Sequence, residues 1–103
     1  MLNRFHAWAT ALLATLPQGV QAGLNVCPPS ANPAMRLELD TPAALASLVC
    51  WESGNYAAEV LDVRTEQYRC QRLGEFSPDF PLSEQLSDFL AALQLDLAPP
   101  PGP

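Results

Sequence analysis

Lysine and isoleucine are absent from this chain of 103 residues, and histidine occurs once, at His6. Both missing residue types use AT-rich codons, so their absence indicates a bacterial source with a GC-rich genome. Without lysine there is no Schiff base. With the single histidine in an apolar N-terminal segment, the rest of the chain has no Ser–His or Cys–His relay and no histidine-ligated metal. We therefore predict no catalytic residues, no cofactor, no metal site and a protein that is not an enzyme.

Positive charge is also scarce. Five arginines stand against eleven aspartates and glutamates, which gives a formal net charge of −6. Nucleic-acid affinity comes largely from Lys and Arg on phosphates, so no nucleic-acid partner is expected. Three of the arginines, Arg64, Arg69 and Arg72, lie close together. They indicate either ordinary surface pairs, for example with Glu59 and Glu66, or a small contact patch.

The N-terminal segment, 1–22, has the pattern of a secretory signal peptide. A short positive region precedes an apolar run over 5–16, Pro17 ends that run, and Ala22 and Gly23 form the expected cleavage site. The pattern predicts export to the periplasm or the extracellular medium. The alternative is an uncleaved segment that tethers the protein to a membrane, although the run is shorter than the roughly 20 residues that a spanning helix needs.

Three cysteines follow the expected cleavage site: Cys27, Cys50 and Cys70. A chain this short buries a marginal apolar core, and exported small domains commonly compensate with disulfides. We expect one disulfide among the three, with the pairing left open, and one odd thiol that is buried or pairs with a partner. The spacing is not Cys-x-x-Cys, so a thiol oxidoreductase is not expected.

The next region is interpreted as a proline-rich arm over 23–40, with a short strand-like alternation confined to 36–40. A helix-start signature follows, because Thr41 can cap free backbone N–H groups and Pro42 suits a first helical position. The alanine- and leucine-rich residues beyond them predict a first helix over 41–52.

The middle of the chain is ambiguous. Residues 55–73 contain neither glycine nor proline and carry apolar residues at helical spacing, so we interpret them as a second helix. The alternative is a short antiparallel hairpin at about 58–73, whose turn lacks the Asn-Gly type of sequence that favours hairpins. Trp51 and Tyr56 flank the turn before this segment, either as exposed recognition residues or as the end of a small core.

The clearest periodicity lies near the C-terminus. Apolar residues recur at helical spacing over 81–96, opposite an acidic polar face, which predicts an amphipathic helix. Its apolar face, with Leu86, Phe89 and Leu93, packs on its own domain or docks a partner. The residues 98–103 predict a tail of polyproline type.

These features predict a mainly α domain over 41–97, built from a helical hairpin and a C-terminal helix and stapled by a disulfide. The alternative fold class is α+β with the hairpin at about 58–73. We expect a small exported protein that acts by contact with a protein partner or by self-association, as an accessory subunit, inhibitor or effector. The alternatives are a membrane-tethered envelope protein and a small enzyme based on thiol or carboxylate groups. The candidate contact residues are Trp51, Tyr56, Arg64, Arg69, Arg72, Leu86, Phe89 and Leu93.

Overall fold

The structure is a computed structural model that describes residues 1–95. Over that range the chain forms a helix, five strands and two short helices. The elements are α1 (Leu2–Leu13), β1 (Gln21–Val26), β2 (Ala34–Asp40), β3 (Ala44–Trp51), β4 (Asn55–Asp62), β5 (Tyr68–Glu75), α2 (Leu82–Gln85) and α3 (Ser87–Leu93). Each strand pairs antiparallel with the next, in the order β1-β2-β3-β4-β5. The fold is therefore α+β, and the prediction of a mainly α domain is wrong.

The helices cover one face of the sheet. α1 packs over β1, β2 and β3, whereas α3 packs over β4 and β5. Large side chains that are fully buried between the two layers include Phe5, Leu37, Leu48, Val60, Phe89 and Leu93. Among the described residues no helix covers the opposite face, which is termed the open face below.

The predicted helix over 41–52 is a tight turn followed by β3. Thr41 Oγ1 accepts hydrogen bonds from the backbone N–H groups of Ala43 (3.2 Å) and Ala44 (2.8 Å). A hydroxyl that satisfies free N–H groups is equally useful in a hairpin turn and at a helix start, so this signature does not distinguish the two.

Sequence periodicity does not identify the strand β3, because this strand carries apolar side chains on both faces. Ala46 and Leu48 lie in the core, while Leu45 and Val49 belong to the open face. A strand of this kind has no apolar–polar alternation, and an apolar run cannot be distinguished from a helix by periodicity alone.

The second predicted helix, over 55–73, is also wrong, and the hairpin alternative is the better description. β4 and β5 form that hairpin. Asp62 Oδ1 accepts hydrogen bonds from the backbone N–H groups of Arg64 (2.9 Å) and Thr65 (3.0 Å). Glu66 takes the left-handed position, with φ of 59°. An aspartate cap thus replaces the glycine that such turns usually contain.

The predicted disulfide is absent: all three cysteines lie among the described residues, and each is free. Cys50 and Cys70 lie on β3 and β5 with β4 between them, so a strand spacing of about 4.8 Å puts them at least about 9 Å apart. A disulfide spans Cα separations up to roughly 7 Å. Cys27 follows β1 and lies beside the open face. It is distant from the other two cysteines, because Cys50 is fully buried on the helix-covered face and Cys70 lies on the strand at the opposite edge of the sheet.

The N-terminal segment forms α1, whose Phe5 and Ala9 are completely buried. Arg4 connects this helix to the loop before α2, because its guanidinium group donates hydrogen bonds to the backbone carbonyls of Ser77 (3.1 Å) and Phe80. The expected cleavage site between residues 22 and 23 falls inside β1. Over residues 1–95, none of the helices combines the length and the hydrophobicity that crossing a membrane requires.

Two short helices, α2 and α3, occupy the segment predicted as one helix over 81–96. Their buried residues Leu82, Leu86, Phe89 and Leu93 cover the sheet. The helix is interrupted between them at Leu86, whose backbone dihedral angles lie outside the helical region. The predicted tail, 98–103, lies outside the described residues.

Candidate functional site: the open face of the sheet

The strand register arranges the open-face side chains in rows that cross the sheet. The first row contains Gln21, Asp40, Leu45, Leu61 and Tyr68, and it is termed the apolar row after its last three members. The carboxylate row contains Gly23, Glu38, Ser47, Glu59 and Gln71. A third row contains Asn25, Arg36, Val49, Ala57 and Leu73. The three rows together form one continuous surface that spans every strand of the described sheet.

This surface is concave. A depression of about 580 Å³ lies over the apolar row and the carboxylate row. A second depression of about 400 Å³ adjoins it, towards Cys27 and Trp51. Ser47 is small and lies between Glu38 and Glu59 in the carboxylate row, so the middle of the face is left open, and Gly23 ends the row on the edge strand β1.

Apolar side chains are exposed here. Leu45 is 46% exposed, Tyr68 51% and Leu73 83%. Isolated exposed apolar residues are ordinary, but a contiguous group within a depression is typical of an interaction surface.

The open face is acidic. Glu38 and Glu59 lie on either side of Ser47 in the carboxylate row, and Asp40 follows in the apolar row. Among the described residues, Arg36 is the one arginine on this face. Its Nη1 atom lies 3.5 Å from Glu38 Oε1, with both side chains about half exposed, a geometry that contributes little in water.

The aromatic candidates are separated by the sheet. Trp51 is partly exposed on the open face, where it lines the second depression. Tyr56 is on the core face and buried, and its ring stacks on Phe76 with centroids 4.2 Å apart. The C-terminal candidates Leu86 and Phe89 are buried in the core together with Leu93.

The three candidate arginines do not form one patch. Arg64 lies in the turn after β4, where its backbone N–H donates to Asp62. Arg69 pairs with Asp62 at 2.8 Å, and Arg72 pairs with Asp88 at 3.0 Å. Arg69 joins β5 to its own turn, and Arg72 joins β5 to α3.

Sequence reasoning missed the residues that define the open face: Glu38, Asp40, Leu45, Glu59, Leu61 and Tyr68. The alternation over 36–40 was the available signal, because it places Glu38 and Asp40 together on the polar side of a strand. The pairing of that strand with β3 and β4, which brings Glu59 and Leu61 alongside, has no local sequence signature.

Two of the cysteines lie where the thiolate form is disfavoured. Burial raises the pKa of the Cys50 thiol to about 11, partly offset by the nearby N-terminal ammonium group. Burial, followed by the Asp88 carboxylate, raises the pKa of Cys70. Within residues 1–95, no three His, Cys, Asp or Glu side chains come together in a way that could hold a metal ion.

An antiparallel sheet with one face packed under helices, and with exposed apolar side chains in a depression on the other, is typical of a small protein-binding module. The chain belongs to the family described as Immunity protein TriTu, whose family model matches residues 3–92. The match includes nearly all of the described elements, from α1 into α3. No curated protein matches the chain. Family membership identifies a small protein that acts by protein–protein contact.

Proposed function

We propose that this protein neutralises a toxin by binding it through the open face of the sheet. The family match supports the role, since it names an immunity protein and spans all five strands of the described sheet. The observation that carries the choice of surface is an apolar group, the exposed Leu45 and Tyr68 with the half-buried Leu61 between them, within a depression that no helix of the described chain covers.

The size of the open face suits this role. Five strands at a spacing of about 4.8 Å make a sheet about 20–25 Å wide, and strands of this length are about 20–25 Å long. The plane of the sheet therefore measures about 400–600 Å², against the roughly 800 Å² that each partner buries in a standard protein–protein interface. The open face can therefore supply most of such an interface.

The form that binds the toxin, in this proposal, contains α1. Phe5 and Ala9 fill the space above β1, β2 and β3, so the shape of the sheet depends on this helix. Export with cleavage between Ala22 and Gly23 stays a prediction, and it competes with this part of the proposal because cleavage there would remove α1.

The test is a growth assay in a bacterial host that expresses a toxin domain first identified by its capture on the purified wild-type chain. Co-expression of the wild-type chain is expected to restore growth. A variant with Leu45→Asp and Tyr68→Asp places two charges in the apolar row and is expected to lose protection while remaining folded by circular dichroism.

The matched control is Phe80→Asp. Phe80 is an aromatic residue of similar exposure, 53%, in the loop before α2, which is away from the open face. This variant is expected to protect like the wild type. A folded Leu45→Asp/Tyr68→Asp variant that still protects would refute the choice of surface, and a wild-type chain that is expressed but does not protect would refute the neutralising role.

A further inference from the structure

We propose that the open face recognises a cationic segment of its partner, one that carries arginine side chains flanked by apolar residues. This inference rests on the proposed function and specifies the chemistry of the toxin surface. Its basis is the combination of a concave apolar floor and a net negative charge on the same face, where three carboxylates, Glu38, Asp40 and Glu59, stand against one arginine, Arg36.

The carboxylates are placed to hold a guanidinium group from both sides. Glu38 and Glu59 belong to β2 and β4 and lie in register across Ser47 on β3. Two strand spacings separate their Cα atoms by about 10 Å, which leaves room for a planar guanidinium between the two carboxylates. Ser47 is small and does not fill that gap. Asp40 lies in the adjacent row of the same depression.

The remaining described arginines do not offset this charge, because most are engaged on the other side of the sheet. Arg4 donates to backbone carbonyls in the loop before α2. Arg69 pairs with Asp62, and Arg72 pairs with Asp88 on α3. On the open face, Arg36 contacts Glu38 at 3.5 Å and therefore offsets one of the three carboxylates, Glu38, Asp40 and Glu59. The face keeps a net negative charge.

The apolar row supplies the second half of the recognition. Leu45 and Leu61 lie side by side beneath the depression, and Tyr68 closes its edge on β5. The methylene stem of an arginine packs on aliphatic side chains of this kind, and a tyrosine ring attracts a guanidinium placed over its face. An acidic segment, or a purely apolar one, would leave the carboxylates desolvated without partners.

The first experiment uses a synthetic probe and does not depend on the toxin. The capped peptide Leu-Arg-Leu-Arg-Leu is titrated into ¹⁵N-labelled full chain, in parallel with the same peptide carrying citrulline, a neutral isostere, in place of arginine. We expect amide shifts confined to open-face residues such as Gly23, Ser47 and Gln71. The affinity should fall at least about threefold between low and physiological salt, as charge–charge attraction is screened.

The matched variants are Glu38→Gln/Glu59→Gln and Glu84→Gln. The first pair removes the two facing charges and keeps the side-chain shape. Glu84→Gln removes an exposed charge from α2, away from the open face. The double variant is expected to bind the arginine peptide at least about fivefold more weakly, whereas Glu84→Gln binds like the wild type. Equal binding of the citrulline peptide, or shifts located elsewhere, would overturn the proposal.

The second experiment separates this inference from the proposed function by using the toxin domain itself. If the wild type protects cells and the folded Glu38→Gln/Glu59→Gln variant binds the toxin equally well at low salt, the cationic recognition is refuted while neutralisation stands. If the arginine peptide binds as expected but the wild type does not protect, neutralisation is refuted and the cationic surface stands.

Discussion

Arg69 and Asp62 form the best-enclosed ion pair among the described residues, with the guanidinium Nη2 atom 2.8 Å from Asp62 Oδ2 and exposed fractions of 17% and 15%. The other carboxylate oxygen of Asp62, Oδ1, accepts hydrogen bonds from the backbone N–H groups of Arg64 and Thr65. Arg69 also donates to the carbonyl of Ala92 at the end of α3. One carboxylate therefore stabilises the β4–β5 turn and, through Arg69, the docking of α3.

The first prediction concerns Asp62 and pH. Hydrogen bonds from the Thr65 backbone N–H and from Arg69 lower the pKa of Asp62 from its ordinary value of 3.8 to about 2. A lowered pKa stabilises the folded state above the ordinary value, and this contribution disappears as the pH falls through the lowered value. Asp62→Asn should lower the melting temperature by at least ~4 °C at pH 7. The difference from the wild type should shrink between about pH 4 and pH 2.

The control for Asp62 is Asp88→Asn. The Arg72–Asp88 pair has a similar length, 3.0 Å, but its carboxylate is 72% exposed. Exposed pairs contribute about 0–1 kcal/mol, so this variant should melt close to the wild type at every pH. Thermal melts monitored by circular dichroism from pH 2 to pH 7 compare the two variants, and equal losses would contradict the special role of Asp62.

The second prediction concerns Gly74, which faces the ring of Tyr56 on the neighbouring strand. A Cβ atom at Gly74 would lie 2.7 Å from Tyr56 Cζ, and that ring cannot move freely because it stacks on Phe76. Gly74→Ala should therefore destabilise the protein by about 1–3 kcal/mol in urea unfolding. Gly23→Ala on β1 is the control, since its Cβ meets its nearest neighbour at 3.5 Å. Similar stabilities for the two variants would refute the steric argument.

The third prediction concerns the cysteines. Because each cysteine is free, intact mass should be unchanged by reduction, and denatured protein should take up three alkyl groups. Under native conditions Cys50 should be the slowest to react, since it is fully buried and its pKa is raised to about 11. Peptide mapping after timed alkylation measures this order. A mass increase of two hydrogens on reduction would show a disulfide and contradict the structure.

The fourth prediction concerns α1. Phe5 is completely buried, so Phe5→Ala should cost about 3–5 kcal/mol of unfolding free energy. His6→Ala changes the adjacent exposed residue of the same helix and should have little effect. A chain that begins at Gly23 lacks α1 and should lose the cooperative melting of the full chain. Cooperative unfolding of that truncated chain would instead support the signal-peptide prediction.

The sequence was least informative in the part of the chain that forms the candidate site. Leu45 and Val49 give β3 an apolar open face, which is why its residues resemble a helix in sequence. The same exposed apolar character makes that face suitable for a partner. The rule that exposed strand positions are polar fails at this strand because its open face carries apolar side chains, and departures of this kind are expected at functional surfaces.

The sequence by itself determined the acidic charge, the absence of lysine and the apolar helical face that contains Leu86, Phe89 and Leu93, because composition and helical spacing are local properties. The structure decided that this face is buried in the core of its own domain. Only the tertiary structure decided that 41–52 and 55–73 form β3, β4 and most of β5 with their turns, and that residues 2–13 complete the core. It also decided that Glu38 and Glu59 face each other across Ser47. Strand pairing joins residues far apart in the chain, and the apolar area gained by forming one sheet outweighs the helix propensity of its alanine-rich segments.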